Sequence, residues 1–195
     1  NDFQKAVCTF RADGKPELWM GTTGETRKIT NYSLKNELIA IPMEFFPYES
    51  FFVTFSGKSQ KSAYNQNDNN FPVFTEVKTI EGAWNVSFNS KFGGPENIEF
   101  DKLQDWTNHE MRGIKYYSGI ATYTKTFTLD KLDDKEYYID LGVVNDIARV
   151  KLNGTDIGII WCAPWRIDIS GALKEGENEL EIEVASRWIN RLLGD

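Results

Sequence analysis

The chain has 195 residues, enough for one large or two small domains, and it carries a net charge of −7 at pH 7. The negative charge argues against a nucleic-acid partner, because no excess of basic side chains offsets the repulsion from phosphates. No apolar run approaches the ~20 residues of a membrane span, so no span is predicted.

The first 55 residues show short strand signals separated by turns. The chain begins NDFQKAVCTF, with no initiator methionine and no signal peptide, and is expected to be a mature fragment or an excised piece. A segment of about 55 residues rarely makes a sandwich alone. We therefore expect residues 1–55 to be the tail of an upstream β-domain or a ribbon docked on the domain C-terminal to it. Strands are predicted in KAVCTF (5–10), LWM (18–20), ITNYSL (29–34), ELIAIPMEF (37–45) and SFFVTF (50–55), with a tight turn at Lys35-Asn36.

A polar stretch comes after these strands. SGKSQKSAYNQNDNNF, residues 56–71, is rich in Ser, Asn, Gln and Lys and contains almost nothing that could be buried. A structureless run longer than ~12–15 residues is usually a linker or a mobile loop. We therefore predict a linker at 56–71 and a second domain at 72–195.

Two-residue alternation, the period of a β-strand, dominates this second domain. In GIATYTKTFTL (119–129), Ala121, Tyr123, Phe127 and Leu129 share one face and the threonines share the other. WNVSF (84–88), EYYIDL (136–141) and IARVKL (147–152) show the same character. No segment shows a sustained helical period.

The strongest turn signal is Asn153-Gly154, because a type I′ hairpin turn needs two residues that tolerate positive φ. It is followed by IGII and WRIDIS and then by KEGENELEIEV. In that last segment, Leu180, Ile182 and Val184 point inward and the intervening glutamates face water. The pattern predicts an all-β fold, an antiparallel β-sandwich.

These motifs carry a resemblance to a known family. LNGTDIG followed by WRIDISGALKEGENELEIEV, with IKYYSGIATYTKTF upstream, resembles the galactose-binding-like jelly-roll domain of family 2 glycoside hydrolases. LQDWTNHEMRGIKYYSG and the terminal WINRLLGD are similar to the C-terminal region of family 106 α-L-rhamnosidases and related large polysaccharide-degrading hydrolases. PELWMGTTGE and PYESFFVTF resemble the β-rich region that precedes the jelly roll in such enzymes.

The resemblance implies a non-catalytic accessory region of a secreted or periplasmic glycoside hydrolase. Such enzymes carry their catalytic acids in a separate (α/β)-barrel, and no segment here reads as that barrel. The implied partners are the catalytic domain of the parent enzyme and a carbohydrate ligand. Jelly rolls of this type often hold structural calcium, but a compact Asp-x-Asp-x-Asp loop is missing from the sequence. A structural calcium ion therefore stays open but is not predicted, and no other cofactor or metal is predicted.

Aromatic loop residues are the candidates for carbohydrate contact. Flat Trp and Tyr rings stack on the apolar face of a pyranose, while neighbouring Asn, Arg or Asp side chains bind its hydroxyls. Three regions of the chain combine these residue types, and the single histidine lies in one of them. The candidates are Trp106, His109, Tyr116, Tyr117, Trp161, Trp165, Arg166, Asn190 and Arg191.

Each candidate also has a plainer structural interpretation. Trp is highly buried on average, and Trp165 is expected to anchor its loop while Arg166 extends over its ring toward solvent. For Trp161, ligand contact, contact with a neighbouring domain and core packing all stay open. His109 is more often a solvated or capping loop residue than a sugar ligand.

Two other functions stay open. An active glycosidase fragment would need two carboxylates roughly 5–10 Å apart, and Glu96, Asp101, Asp105 and Glu110 are available but are expected to be solvated. The third hypothesis is an interaction scaffold without a ligand. The two cysteines, far apart in the sequence, are expected to be free thiols.

Overall fold

The computed structural model describes residues 3–58 and 69–194 and divides the chain into two compact units, residues 1–77 (unit 1) and 78–195 (unit 2). Most of the predicted linker, residues 59–68, lies outside the described residues. Asn70 and Phe71, at its end, belong to unit 1, so the second unit begins at Lys78 and not at residue 72. The described elements are nearly all antiparallel strands, as predicted.

Unit 1 is built from two three-stranded antiparallel sheets. Its strands are β1 (Gln4–Arg11), β2 (Lys15–Met20), β3 (Thr26–Lys28), β4 (Ser33–Lys35), β5 (Leu38–Phe45) and β6 (Phe51–Ser56). The strand orders are β1-β5-β4 and β3-β2-β6. Leu18 of one sheet and Ile39 and Ile41 of the other are fully buried in a single apolar core.

The hairpin between β4 and β5 turns one residue later than predicted. Asn36 and Glu37 adopt φ of 51° and 63°. Positive φ at both central residues is what a type I′ turn requires. The turn therefore centres on Asn36-Glu37, not on Lys35-Asn36.

Unit 2 is an antiparallel β-sandwich. Its strands are β7 (Trp84–Phe88), β8 (Ile98–Phe100), β9 (Ile120–Leu129), β10 (Tyr138–Asp140), β11 (Ile147–Leu152), β12 (Thr155–Ile160), β13 (Arg166–Asp168) and β14 (Gly176–Ala185). Its helices are α1 (Arg112–Lys115) and α2 (Ile189–Gly194), with 3₁₀ turns at Ser90–Phe92 and Trp106–Asn108. One sheet has six strands in the order β12-β11-β14-β9-β7-β8, and β10 pairs with β13.

The core of unit 2 follows from the alternation in its strands. Ala121 and Tyr123 of β9 and Leu180 and Ile182 of β14 are buried, while the threonines and glutamates between them lie on the other face. Ile139, on β10, belongs to the same core, so the small sheet packs on the large one. The predicted faces of β9 and β14 are confirmed.

Candidate functional site

Two of the predicted aromatic residues lie in the core of unit 2. Trp106 is buried and donates a hydrogen bond of 2.5 Å from Nε1 to Tyr123 Oη. Burial raises the pKa of the Tyr123 hydroxyl, and the Trp106 bond partly offsets this rise. The Tyr117 hydroxyl donates to Ile120 O (2.9 Å) and accepts from Asn89 N (3.1 Å). Trp106 and Tyr117 thus hold the core together and present no ring face to a ligand.

His109 caps the 3₁₀ turn that begins at Trp106. Its backbone N–H donates to Trp106 O at 2.9 Å, and its Nδ1 accepts from Met111 N at 3.1 Å. The imidazole stacks on Phe100 with 5.3 Å between ring centroids. These contacts give His109 the capping role that was the plainer interpretation of this residue.

Trp161, by contrast, is 59% exposed. It directly follows Ile160, the last residue of β12, which is buried and pairs with Ala148 of β11. Because successive strand residues point to opposite faces of a sheet, Trp161 stands on the outer face at the level of Ile147. Core packing, one of the three interpretations left open for Trp161, is therefore wrong.

Strand pairing places further apolar residues in line with Trp161 across the outer face of the sheet. Ile147 of β11 pairs with Ala185 of β14, and Ala185 pairs with Ile120 of β9. Ile147 is 43% exposed and Ile120 is 56% exposed. We call Trp161, Ile147, Ala185 and Ile120 the outer row, an apolar line that crosses four strands at one end of the outer face.

The far end of the Trp161 loop is anchored. Trp165 packs against the core of unit 2, and its carbonyl accepts a hydrogen bond of 2.8 Å from Leu141 N. Arg166 Nε donates to Asp140 Oδ2 at 2.7 Å, across the pair of strands β10 and β13. The anchoring role predicted for Trp165 fits these contacts, and Arg166 is held by a carboxylate on the neighbouring strand.

The remaining candidates lie around helix α2. Arg191 donates from its backbone N–H to Ser118 Oγ (3.0 Å) and from its guanidinium to Phe92 O (2.8 Å). Tyr116 and Asn190 are half-buried. The structure therefore brings Arg191 close to the segment that carries Tyr116, although the two residues lie far apart in the chain.

Trp188 marked the third aromatic region but was not listed among the candidate residues, although it precedes α2 and is 62% exposed. Its ring lies edge-on to Phe92 at 6.1 Å. The neighbouring Arg187 forms two hydrogen bonds, of 2.6 and 2.8 Å, with the carboxylate of Asp146. A signal was present, because Trp188 lies outside the alternating pattern that ends at Ala185 and so has no strand face to bury it.

The carboxylates considered for catalysis make structural contacts or face solvent. Glu96 accepts a hydrogen bond of 2.9 Å from Ser90 Oγ, and Asp105 caps the 3₁₀ turn after it. Asp101 and Glu110 are exposed. Within residues 3–58 and 69–194, no three His, Cys, Asp or Glu side chains are grouped to hold a metal ion. No described helix is long and apolar enough to cross a membrane.

Unit 1 contains a cavity of about 280 Å³ between strands β1 and β5 and residues 69–71. Asn70 is a buried polar residue in its wall, and its amide is committed to the backbone. Its Nδ2 donates to Asn31 O (2.8 Å) and Pro42 O (3.2 Å), and its Oδ1 accepts from Asn31 N (3.0 Å). These bonds stabilise the fold of unit 1.

Comparison with known proteins identifies unit 2. Residues 101–192 match the family described as "Glycosyl hydrolase 2 galactose-binding domain-like". Most of unit 2 is thus similar to a galactose-binding-like domain of the glycosyl hydrolase 2 type. The matched residues include the Asn153-Gly154 turn, the Trp161 loop and most of α2.

Both units, and not the galactose-binding-like domain alone, are similar to part of a solved rhamnosidase from Novosphingobium sp. PP1Y. The identity is 36% over 100% of this chain and 18% of that chain, with a TM-score of 0.87. A "Putative beta-glucuronidase" from Formosa agariphila is 43% identical over 119 residues, which are 60% of this chain and 10% of the relative. Both relatives therefore carry the matched region as a small part of a much longer chain.

Proposed function

We propose that this chain is a non-catalytic accessory region of a larger glycoside hydrolase and that its galactose-binding-like domain contacts carbohydrate through Trp161. The observation that carries the proposal is the exposed Trp161 ring, 59% accessible, on a loop fixed at both ends. Ile160 holds one end in the core, and the ion pair of Arg166 with Asp140 holds the other.

A ring fixed in this way suits sugar recognition. Stacking a pyranose on an indole buries apolar surface on both partners, and a loop that is already ordered loses little conformational freedom on binding. The outer row extends the apolar surface from Trp161 across the sheet. A single ring beside a flat sheet supports weak binding to a polysaccharide surface, as expected of an accessory region.

The catalytic acids are assigned to another part of the parent protein. Glu96 and Asp105 accept structural hydrogen bonds, and Asp101 and Glu110 face solvent. Asp156 accepts a hydrogen bond of 2.6 Å from Arg149, which lowers the pKa of that carboxyl. A glycosidase general acid needs the opposite shift, a raised pKa. We further propose that the parent protein is secreted or periplasmic, where polysaccharide substrates are found.

Affinity electrophoresis tests the carbohydrate contact. The 195-residue chain is run in native gels that contain rhamnose-bearing, uronic-acid-bearing or neutral polysaccharides. We expect retarded migration in at least one gel, and we expect Trp161→Ala to abolish the retardation. Trp19→Ala is the matched control, because Trp19 is also an exposed tryptophan, at 46%, and lies in unit 1.

Unchanged migration of Trp161→Ala in a gel that retards the wild type would contradict the proposed contact. Release of reducing sugar from the same polysaccharides by the isolated chain would contradict the non-catalytic role and favour an active fragment.

A further inference from the structure

Helix α2 is attached to unit 2 through its polar and small residues. Arg191 bonds to Ser118 Oγ and to Phe92 O. Gly194 lies so close to Tyr116 that a side chain at position 194 would overlap the tyrosine ring. The side of α2 that carries Arg191 and Gly194 therefore faces the sandwich.

The apolar residues of α2, and Trp188 directly before it, point the other way. Trp188, Ile189, Leu192 and Leu193 are exposed by 62%, 60%, 75% and 73%. One helical turn separates the first two from the last two, so they form one continuous face. Phe92, 41% exposed and edge-on to Trp188, extends it. We call these five residues the α2 face.

This arrangement is the reverse of an ordinary surface helix, which buries its apolar face and exposes its polar one. Clustered large apolar side chains at a protein surface mark an interaction site. The bonds of Arg191 and the close approach of Gly194 hold the helix in this orientation without help from the apolar face. The α2 face is therefore free to pack against a partner.

Two basic side chains lie near the Gly194 end of α2, although the chain as a whole has a charge of −7. The guanidinium of Arg112 and the ammonium of Lys115 lie 5.3 and 5.9 Å from the centroid of the Tyr116 ring. Arg112 also donates to Gly194 O at 3.4 Å. A partner surface with an apolar centre and acidic side chains around it complements this pattern.

We infer that the α2 face docks on another domain of the same longer polypeptide, one that presents an apolar surface rimmed by carboxylates. This inference rests on the proposal that the chain is part of a larger glycoside hydrolase. In the rhamnosidase relative, the region similar to this chain is 18% of one polypeptide. A domain on the same polypeptide is present at an effective concentration that can reach the millimolar range.

A second copy of the chain fits the surface less well. A two-fold dimer brings the same patch of both copies together. The basic residues Arg112 and Lys115 of both copies would then be gathered at one interface, and like charges at an interface oppose association.

Hydroxyl-radical footprinting with mass spectrometry tests the inference on the full-length parent polypeptide and on the 195-residue chain. We expect Trp188, Leu192 and Leu193 to be oxidised readily in the 195-residue chain and to be strongly protected in the full-length polypeptide. Leu192→Asp in the full-length polypeptide should restore oxidation of Trp188. Ile159→Asp is the matched control, since Ile159 is 60% exposed on β12, and should leave Trp188 protected.

Equal oxidation of Trp188 in the two proteins would overturn the inference. So would light scattering that shows a dimer of the 195-residue chain that Leu192→Asp dissociates, because a second copy would then cover the face. Polysaccharide retardation of Leu192→Asp should match the wild type. If the wild-type chain is not retarded by any polysaccharide but Trp188 is protected in the full-length polypeptide, the proposed function is contradicted and the docking inference is supported.

Discussion

Asn153 Nδ2 donates a hydrogen bond of 2.9 Å to Oδ1 of Asn178, a side chain with no exposed surface. The two residues belong to the Asn-Gly turn and the Gly-Glu-Asn turn that carry the family resemblance. Asn178 also accepts from Lys174 N (3.0 Å) and donates to Gly176 O (3.1 Å), and Asn153 Oδ1 accepts from Glu179 N (3.0 Å). The motif asparagines thus join two turns of the sandwich and do not form a ligand site.

Asn178→Leu should lower the free energy of unfolding by about 2–4 kcal/mol. The substitution removes the acceptor of the Lys174 N–H and one of the two acceptors of Asn153 Nδ2, which keeps its bond to Ala172 O (2.8 Å). It also removes the donor to Lys174 O and Gly176 O, and a polar group left without its partner costs about 1–3 kcal/mol. Urea unfolding of the chain measures the loss. Glu177→Gln, at an exposed neighbouring position, is the control and should unfold at the wild-type urea concentration. An unchanged urea midpoint for Asn178→Leu would show that the hydrogen bonds of Asn178 contribute little to the free energy of unfolding.

Replacement of the buried Trp106 and of the exposed Trp161 should have very different effects on the free energy of unfolding. Trp106→Ala should lower the free energy of unfolding by about 3–5 kcal/mol, because it opens a cavity in the core. Trp161→Ala should change that free energy by no more than about 0.5 kcal/mol, since its ring is mostly in solvent. Denaturation curves of both variants, run beside the wild type, measure the contrast. A similar loss in both variants would contradict the placement of Trp161.

Tyr117→Phe removes a hydroxyl that both donates to Ile120 O and accepts from Asn89 N. The ring still fills its place, so the loss reports the two hydrogen bonds and not the packing. We expect a decrease of about 1–3 kcal/mol in the free energy of unfolding. Tyr138→Phe is the control, because that hydroxyl lies on the surface strand β10 beside Glu136. Equal stability of Tyr117→Phe and the wild type would contradict this role.

Glu49 should make unit 1 less stable as the pH rises. Burial raises the pKa of its carboxyl above the ordinary value, against the lowering effect of the hydrogen bond from Phe46 N (2.9 Å). Since the folded state binds this proton more tightly than the unfolded state, its contribution is complete below the unfolded pKa. It is lost as the pH rises through the folded pKa.

The measurement is the free energy of unfolding of the wild type minus that of Glu49→Gln, between about pH 4 and about pH 7. This difference should fall with rising pH, because glutamine keeps an acceptor for Phe46 N but does not titrate. The subtraction removes the opposite effect of carboxylates whose pKa is lowered, such as Asp133 beside Lys131. A difference that rises with pH would contradict the sign.

Gly194→Ala should loosen helix α2, because the added methyl group would overlap the Tyr116 ring. Amide hydrogens of residues 189–193 should then exchange faster, while those of β9 and β14 keep the wild-type rate. Gly171→Ala is the control, since nothing lies within 4 Å of the position its methyl group would take. Unchanged exchange in α2 would show that the helix does not depend on this contact.

Local chemistry was enough to predict the strands and one turn. β7 and β11 occupy the predicted residues, and Asn153 and Gly154 have φ of 52° and 77°, as a type I′ turn requires. Both signals arise from neighbours in the chain, namely alternating side chains and residues that tolerate positive φ. Helix α2 left no sustained signal, because its six residues cover less than two helical turns.

By itself, the sequence determined the period of its strands, the Asn153-Gly154 turn and the galactose-binding-like resemblance. The tertiary structure alone decided which aromatic rings reach solvent. Trp106 lies in the core, where it is bonded to Tyr123. Trp161 is exposed because the preceding residue, Ile160, pairs with Ala148 and points into the core. The physical reason is that exposure depends on partners brought together by sheet register, and alternation within one strand does not specify those partners.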